Sequence, residues 1–264
     1  MTGVVSLSWL ADHLDDVRVV DVREEWEYDG IGHVPGAVNV PFDSFRSAEG
    51  ETGMLPPVEE WTALLGAAGI AAEDDVVAYD DTNGVFAARF LVTAELLGHD
   101  PDRLHLLNGD YSAWTRNHET RTDEPDVPEV TYERSEPAST PLVDYETVLA
   151  AIDGDAVIVD TRERHEYEES HVPGAVLLDW RELVDEETRG LKPDEELESI
   201  LAERGITPDR RVVLYCNTAR RISHTYVVLR HLGYEDVAFY EGSLTEWETR
   251  GGPVESGGPE GERQ

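Results

Sequence analysis

The sequence predicts an α/β fold made of two tandem domains, each a mostly parallel sheet flanked by helices. Three observations support this prediction: short apolar runs alternate with helical patterns, the chain repeats itself, and a proline-rich segment separates the two copies. At 264 residues the chain has room for two domains of ordinary size, each able to bury a core.

The internal repeat is the strongest of these signals. Residues 19–38 read VVDVREEWEYDGIGHVPGAV, and residues 158–176 read IVDTRERHEYEESHVPGAV. Further along, 76–98 begins with VVAYDDTNG, and 212–233 begins with VVLYCNTAR. Because the matched blocks follow in the same order, the two halves are copies of one structural unit.

The predicted elements alternate along each copy. Short apolar runs of four or five residues predict buried strands, and they fall at 17–21, 76–79, 104–107, 157–160, 212–215 and 236–240. Helical patterns lie between them, as at 61–69, 86–98 and 222–233, and end in glycines suited to a positive φ. This order is typical of parallel strands joined by crossover helices.

Composition shifts mark the predicted domain boundaries. We expect an N-terminal domain over 1–121, a linker over 122–141, a C-terminal domain over 142–258 and a mobile tail over 259–264. The linker prediction depends on four prolines among Thr, Ser, Asp and Glu residues. The glycine-rich stretch that begins at Gly251 is expected to be mobile as well.

The charge balance excludes several function classes. The chain has 57 acidic residues against 21 Lys and Arg, a formal net charge of −36, and Lys192 is its only lysine. We therefore expect no nucleic-acid partner and no anionic membrane partner, since both need clustered cations. Acid spread over a chain that is 40% hydrophobic suggests a packed protein adapted to multimolar salt, where the Debye length is ~3 Å.

Localisation and metal binding follow from what the sequence lacks. The first residues have no basic, apolar export signal, and no stretch reaches the ~18 apolar residues of a membrane span. Cys216 is the single cysteine, so neither an intrachain disulfide nor a cysteine-based metal cluster can form. The histidines show no ligand spacing, and we expect a soluble cytoplasmic protein with no metal site.

Cys216 is the candidate nucleophile. It follows the apolar run VVLY, with 217–221 expected as a loop and a helix expected to start near Ile222, whereas the first copy has Asp80 at the same place. In α/β sheets, ligands bind where strands end and helices begin, and backbone N–H groups there favour the thiolate form of a cysteine. The alternative is a small buried hydrophobe, the usual state of an unpaired cysteine.

These motifs together resemble the tandem-domain rhodanese family of sulfurtransferases over nearly the whole chain. The carrying segments are the two Asp-x-Arg and HVPGAV blocks, YCNTARRIS at 215–223 and YEGSLTEW at 240–247. The resemblance implies two rhodanese-like domains, of which the N-terminal one is catalytically silent with Asp80 in place of Cys. It also implies a Cys216 persulfide formed without any cofactor, and cyanide or an external thiol as acceptor, since the chain has no second cysteine.

The expected donor is a small anionic sulfur compound. Arg220 and Arg221 lie four and five places after Cys216 and favour thiosulfate, a compact dianion that suits the donor fork of arginine. Members of the family that use 3-mercaptopyruvate tend to have small residues in this loop. Arg162 matches an arginine that the family uses near the substrate, with a structural ion pair to a neighbouring Glu as the alternative. The remaining substrate-binding candidates are the loop residues Asn217, Thr218 and Ala219.

The other repeated polar residues are interpreted as structural. Asp21 and Asp160 end strands and are expected to hydrogen-bond the HVPGAV turn. His33 and His171 occur in both copies, including the silent one, and are interpreted as turn residues.

Two rival functions differ in class from a sulfurtransferase. Cysteine-dependent phosphatases of a related fold have five residues between the cysteine and an arginine, whereas four separate Cys216 from Arg221. A loop one residue short should fit a phosphate ester poorly. A non-catalytic persulfide carrier or redox sensor would need the same cysteine surroundings, and the sequence leaves it open.

Overall fold

The computed structural model describes residues 3–46, 54–137 and 139–258. The chain forms two compact units: the first comprises Met1–Thr140 with Asp185–Leu191, and the second comprises Pro141–Val184 with Lys192–Gln264. The predicted tail 259–264 lies outside the described residues. Each unit is described by itself.

The first unit contains a five-stranded, all-parallel sheet with the strand order β1-β5-β4-β2-β3. Its strands are β1 (Gly3–Ser6), β2 (Arg18–Asp21), β3 (Val38–Asn39), β4 (Val76–Tyr79) and β5 (Leu104–Asn108). Its helices are α1 (Leu7–Asp12), α2 (Glu25–Ile31), α3 (Val58–Ala67), α4 (Val85–Leu96) and α5 (Tyr111–Trp114).

The second unit repeats this plan with four parallel strands in the order β7-β6-β8-β9. Its strands are β6 (Val157–Asp160), β7 (Val176–Leu177), β8 (Val212–Tyr215) and β9 (Val237–Phe239). Its helices are α6 (Tyr145–Ala151), α7 (Arg164–Glu169), α8 (Asp194–Ala202), α9 (Arg220–His231) and α10 (Ser243–Thr249). The predicted fold class, parallel sheets flanked by helices and built twice, is confirmed.

The central strands explain why the sequence signal was so clear. Every residue of β4, β6 and β8 is buried, as expected for parallel strands covered by helices on both faces. Helix α9, which packs on β8 and β9, has eight consecutive buried residues, from Ile222 to Leu229. Strands β3 and β7 are only two residues long, and no apolar run of the sequence predicts them.

The predicted linker packs onto the first unit. The Val130 N–H donates to the Gly66 carbonyl at 3.0 Å, and the Ser135 N–H donates to the Gly98 carbonyl at 3.4 Å. A Cβ atom on Gly98, whose φ is +103°, would lie 2.0 Å from the Ser135 oxygen. This close approach explains the glycine at the end of α4.

The glycine-rich stretch after Gly251 is largely exposed, but its described part is hydrogen-bonded to the rest of the second unit, and its mobility stays a prediction. Glu255 and His171 exchange backbone hydrogen bonds of 2.8 and 2.9 Å, and the Trp247 indole N–H donates to the Pro253 carbonyl at 2.8 Å. The chain thus returns to the histidine of the second HVPGAV turn. His171 stacks on Tyr167 with ring centroids 3.8 Å apart, which fits its interpretation as a turn residue.

A buried ion pair ends the central strand β6. The Arg162 Nε donates to Asp160 Oδ1 at 2.9 Å, and its Nη2 donates to the Ser170 carbonyl. Tyr215 hydrogen-bonds Asp160, and its hydroxyl accepts the Val172 N–H at 3.1 Å. The sequence predicts a direct hydrogen bond between Asp160 and the HVPGAV turn. In the structure, Asp160 is instead connected to that turn through the Tyr215 hydroxyl.

The first unit has the same network. Arg23 pairs with Asp21, the Tyr79 hydroxyl donates to Asp21, and that hydroxyl accepts the Val34 N–H at 3.1 Å. The repeated Asp-x-Arg motif thus joins two strand ends to one turn in each copy.

Replacing Asp160 with Asn should lower the free energy of unfolding by about 3–5 kcal/mol, because it leaves the buried Arg162 cation without its partner. Urea unfolding of the intact protein measures this loss. Asp179→Asn is the matched control. Arg181 Nε donates to both Asp179 oxygens at 3.1 and 3.2 Å, in the same two-residue spacing, but the Arg181 side chain is 52% exposed. That variant should lose about 0–1 kcal/mol. Equal losses in the two variants would contradict the assigned role.

Candidate active site

Cys216 lies directly after β8, with a relative exposure of 1%. Its N–H donates to Ser243 Oγ at 3.1 Å, and its carbonyl accepts the Leu244 N–H at 2.9 Å. The Ser243 hydroxyl itself donates to the Tyr240 carbonyl at 2.9 Å. The YEGSLTEW block therefore fixes the backbone of the cysteine, a role that the sequence analysis had not given to Ser243.

The loop after Cys216 is short. Ala219 has a φ of +63° and precedes α9, which begins at Arg220 rather than near Ile222 as predicted. The Ala219 carbonyl accepts the Ser223 hydroxyl at 2.7 Å. Arg220 and Arg221 are therefore the first two residues of the helix, at the end where its dipole favours an anion.

The remaining loop residues are half-buried. The Asn217 carbonyl accepts the Thr245 hydroxyl at 2.9 Å, which ties the loop to α10, and Thr218 lies between Asn217 and the buried Ala219. Cys216, Asn217, Thr218, Ala219 and the arginines thus form one continuous turn. Their predicted role in binding substrate stays a prediction.

Arg221 forms an ion pair with Glu166 of α7. Both terminal nitrogens of the guanidinium donate to the carboxylate, one of them at 3.0 Å, and Asn217 Nδ2 donates to Glu166 Oε1 at 2.8 Å. Burial disfavours the charged carboxylate, but the hydrogen bonds from Arg221, the Glu163 N–H and Asn217 prevail and lower the pKa of Glu166 to about 2.

The two arginines differ in their surroundings. Arg220 is exposed, whereas the Arg221 side chain is only 20% exposed. Burial lowers the pKa of Arg221, but its hydrogen bonds to Glu166 and its electrostatic interactions with Cys216 and Glu166 raise it overall. The permanent cation of Arg221 thus lies within electrostatic reach of the sulfur.

Arg162 belongs to the buried ion pair at the end of β6 and also contacts the active-site loop. Its side chain is 3% exposed and paired with Asp160, where the sequence analysis had considered a neighbouring Glu as the partner. Its Nη1 lies 3.4 Å from Asn217 Oδ1, so it contacts the active-site loop through an amide. The geometry gives Arg162 a positioning contact, and its direct contact with substrate stays a prediction.

Glu166 is the site residue that sequence reasoning missed. It occupies the position of Glu27 in the first copy, and both glutamates accept the backbone N–H three residues earlier to form a capping box. Because both glutamates share this structural role, the repeat does not reveal that Glu166 also forms an ion pair with Arg221. The signal that could have revealed it is Arg221, since the matching segment of the first copy, DDTNGV at 80–85, contains no Lys or Arg.

The matching loop of the first unit shows what the turn can bind. The Asp80 carboxylate is 1% exposed and accepts four backbone N–H groups, from Thr82, Gly84, Phe86 and Ala87, at 2.7–3.1 Å. Burial raises the pKa of Asp80 against the effect of these four donors. A strand-loop-helix turn of this chain therefore surrounds a negative group with amides, and Cys216 occupies the corresponding position in the second unit.

The described residues hold no group of three or more His, Cys, Asp or Glu side chains placed to bind a metal ion. Within the same part of the chain, no helix is long and apolar enough to cross a membrane.

Comparison with known proteins decides the family. The model of the rhodanese-like domain matches residues 6–117 and again residues 144–250. The chain belongs to the rhodanese family. The two matched ranges correspond to the two copies recognised from the repeat, and the second contains Cys216.

Relatives of this rhodanese cover nearly its whole length. It is 33% identical over 262 residues to the thiosulfate sulfurtransferase of Pseudomonas aeruginosa, with 92% of this chain and 93% of that protein covered. It is 31% identical over 275 residues to the sulfur carrier protein TtuD of Thermus thermophilus, again with 92% and 93% covered. The solved structure of the 3-mercaptopyruvate sulfotransferase SseA from Escherichia coli matches with a TM-score of 0.79 and 26% identity, over 92% of this chain and 99% of that one.

The ion pair of Glu166 predicts a pH dependence of stability. Since folding lowers the pKa of this carboxyl from 4.5 to about 2, its stabilising effect is complete above about pH 5 and is lost as the pH falls toward 2. The difference in urea midpoint between the wild type and Glu166→Gln should therefore be constant above pH 5 and shrink below it. Glu169→Gln, at an exposed position of the same helix, is the control and should show no such trend. A difference that does not change between pH 6 and pH 3 would contradict the ion pair.

Proposed function

We propose that this protein is a sulfurtransferase that moves the outer sulfur of thiosulfate to cyanide or an external thiol through a Cys216 persulfide. The observation that carries the proposal is the position of Cys216, at the carboxyl end of β8 and one three-residue loop before the arginine-bearing start of α9. This is the place where parallel α/β sheets bind anionic ligands.

The proposed reaction has two displacement steps. The Cys216 thiolate attacks the outer sulfur of thiosulfate, a new S–S bond forms, and sulfite leaves with the electron pair of the broken bond. Cyanide or an acceptor thiolate then attacks the outer sulfur of the persulfide, and Cys216 leaves as the thiolate. No net oxidation occurs and no cofactor is required.

The surroundings of Cys216 support both steps. The Asp80 turn demonstrates that such a loop can direct four amides at one anionic group, and a persulfide anion on Cys216 has the same requirement. Arg221 adds a cation whose position is held by its ion pair with Glu166. The exposed Arg220 can bind the sulfonate end of thiosulfate.

The first alternative is 3-mercaptopyruvate as donor. The likeness to SseA supports it, and so does the Arg221–Glu166 pair, because a paired arginine offers less net charge to a dianion. Because Arg221 is paired, the two adjacent arginines are a weaker argument for thiosulfate as donor. Thiosulfate remains the proposed donor because of Arg220 and because of the likeness to the Pseudomonas aeruginosa thiosulfate sulfurtransferase.

The second alternative is a persulfide carrier that does not turn over rapidly. The likeness to the sulfur carrier protein TtuD supports it. A carrier would accept sulfur on Cys216 and release it only to a protein partner, so it would form the persulfide but show slow turnover with cyanide.

Incubation with thiosulfate should add one sulfur atom to the protein, and cyanide should remove it. Intact-mass measurement in high salt detects the change, and Cys216→Ser should show none, because Cys216 is the only thiol of the chain. Arg181→Gln, a change at an exposed arginine outside the loop, is the control and should behave as the wild type.

Each other outcome points elsewhere. Sulfur gained only from 3-mercaptopyruvate would replace thiosulfate with the first alternative. If the protein gains sulfur but releases it to cyanide too slowly for multiple turnover, the carrier function is favoured. No gain from either donor on folded protein would overturn the sulfurtransferase proposal.

We also propose that the protein works in a cytoplasm of high ionic strength. The proposal is supported by the net charge of −36 and by a single lysine in 264 residues. Self-repulsion of this size destabilises a compact state at low salt and is screened at high salt.

Raising KCl from about 0.1 M to above about 1 M should raise the melting temperature by roughly 5 °C or more, because the Debye length falls from ~10 Å to ~3 Å and relief of a few kcal/mol shifts Tm by that amount. Circular dichroism measures the transition. Sucrose, which acts by exclusion from the protein surface and not by screening, is the control for a general osmolyte effect. The same melting temperature at both salt concentrations would contradict the proposal.

A further inference from the structure

A short segment, Asp185–Leu191, belongs to the first unit although most of its sequence neighbours belong to the second. We call this segment, DEETRGL, the strap. It leaves the second unit after Val184 and returns to it at Lys192, where the Lys192 N–H donates to the Leu183 carbonyl at 3.1 Å. The strap is therefore a loop whose base is closed by a hydrogen bond.

The side chain of Arg189 anchors the strap. Its Nε donates to both oxygens of Asp110 at 2.8 Å, and its Nη2 lies 2.6 Å from Asp110 Oδ2. The same Nη2 donates to the Asp81 carbonyl at 3.2 Å and lies 3.4 Å from Asp81 Oδ1. Asp110 is fully buried, whereas the Arg189 side chain is 29% exposed, so the carboxylate end of this ion pair is the one withdrawn from water.

The backbone of the strap is recognised as well. The Leu191 N–H donates to Asn108 Oδ1 at 2.8 Å, and Asn83 Nδ2 donates to the Arg189 carbonyl at 3.5 Å. A Cβ atom on Gly190 would lie 2.3 Å from Asn108 Oδ1, so only glycine fits at that position. Arg116 Nη1 donates to the Glu187 carbonyl at 2.6 Å.

The strap holds one turn conformation. The Asp185 N–H donates to the Gly190 carbonyl at 2.9 Å, and the Arg189 N–H donates to the Asp185 carbonyl at 2.8 Å. Arg189 has a φ of +62°, a conformation that favours glycine or asparagine over a long side chain. Arginine at this position is therefore explained by what its guanidinium contacts, not by the backbone of the turn.

The residues that receive the strap lie at one edge of the sheet. Asp81 and Asn83 follow β4, and Asn108 and Asp110 lie at and after the end of β5, the strand that pairs with β4. The carboxyl ends of neighbouring parallel strands form the usual ligand site of α/β folds. In the first unit, the carboxyl ends of β4 and β5 contact the strap.

We propose that the carboxyl edge of the first unit is a recognition site for an Arg-Gly peptide turn, and that its occupant is the strap of the same chain. Asp110 and Asp81 select the arginine by its fork of donors, and Asn108 selects the glycine by close approach and the following N–H. The catalytically silent copy thus keeps a binding site at the place where the family fold binds ligands. The proposal is independent of sulfur transfer.

Trypsin cleavage at the Arg189–Gly190 bond tests whether the ion pair holds the strap. Asp110→Asn keeps the shape of the side chain and its helix-capping ability but removes the charge, and Arg189 remains as the cleavage point. Cleavage at this bond, mapped by mass spectrometry, should become about tenfold faster or more, because local opening exposes it. Asp179→Asn, which removes a partner of the exposed Arg181, is the control and should leave cleavage at Arg189 unchanged.

Two results would overturn the proposal in this experiment. One is an unchanged rate at Arg189 in folded Asp110→Asn. The other is a uniform increase at arginines throughout the chain, which would show that Asp110 stabilises the unit as a whole and does not hold the strap.

A peptide test does not depend on the folding of the Asp110 variant. A synthetic peptide of residues 184–192 should bind the full-length Arg189→Ala protein, whose own strap has lost its anchor, and bind wild type at least about tenfold more weakly, since there the site is filled. The same peptide with Lys in place of Arg189 should bind the Arg189→Ala protein about tenfold more weakly than the Arg peptide, because lysine lacks the bidentate fork. Equal binding of the two peptides, or no binding to the folded variant, would overturn the proposal.

Discussion

The buried carboxylate at the end of β2 in the first unit, and of β6 in the second, is the interaction on which the rest of each unit depends. Asp160 would be costly to bury alone, and it is satisfied by Arg162 and Tyr215. Arg162 then binds the carbonyl of Ser170, and Tyr215 binds the N–H of Val172. One charge thus fixes two strand ends and the HVPGAV turn together. Because Tyr215 directly precedes Cys216, the same charge fixes the point where the candidate active-site loop begins.

From that fixed point, a continuous set of polar contacts defines the surroundings of the cysteine. Arg162 contacts Asn217, Asn217 contacts Glu166, and Glu166 holds Arg221. Ser243 holds the N–H of Cys216 from the opposite side. Arg221, which interacts electrostatically with Cys216, is therefore positioned by a carboxylate. In the proposed reaction its value would lie in a fixed orientation, since a paired arginine contributes less net charge but undergoes less reorganisation when an anion arrives.

Sequence reasoning succeeded where one local pattern determines the structure. The apolar run of β8 followed by Cys216 could be placed at the carboxyl end of a parallel sheet because fully buried strands have an unmistakable composition. The start of α9 was misplaced, since the positive φ is taken by Ala219, a residue that gives no sign of it. Glu166 was missed because its partner Arg221 lies far away in sequence and meets it only in the folded second unit. The strap was assigned to the C-terminal domain over 142–258, since nothing in its composition indicates which unit it packs against.

The two copies show how one turn can serve opposite purposes. In the first unit the Asp80 carboxylate saturates the amides of its loop, so an anionic donor would have to compete with a tethered group at very high effective concentration. The first unit therefore differs from the second in two features that bear on the proposed reaction: it lacks the thiol, and the amides of its turn already bind a carboxylate. In the second unit Cys216 occupies the matching position and would place a charge in its turn only when it ionises or carries sulfur. In the proposed reaction, the backbone N–H groups of that turn would stabilise these charged states. On this proposal a single side chain, Asp80 or Cys216, determines whether the turn stabilises the fold or a reactive sulfur.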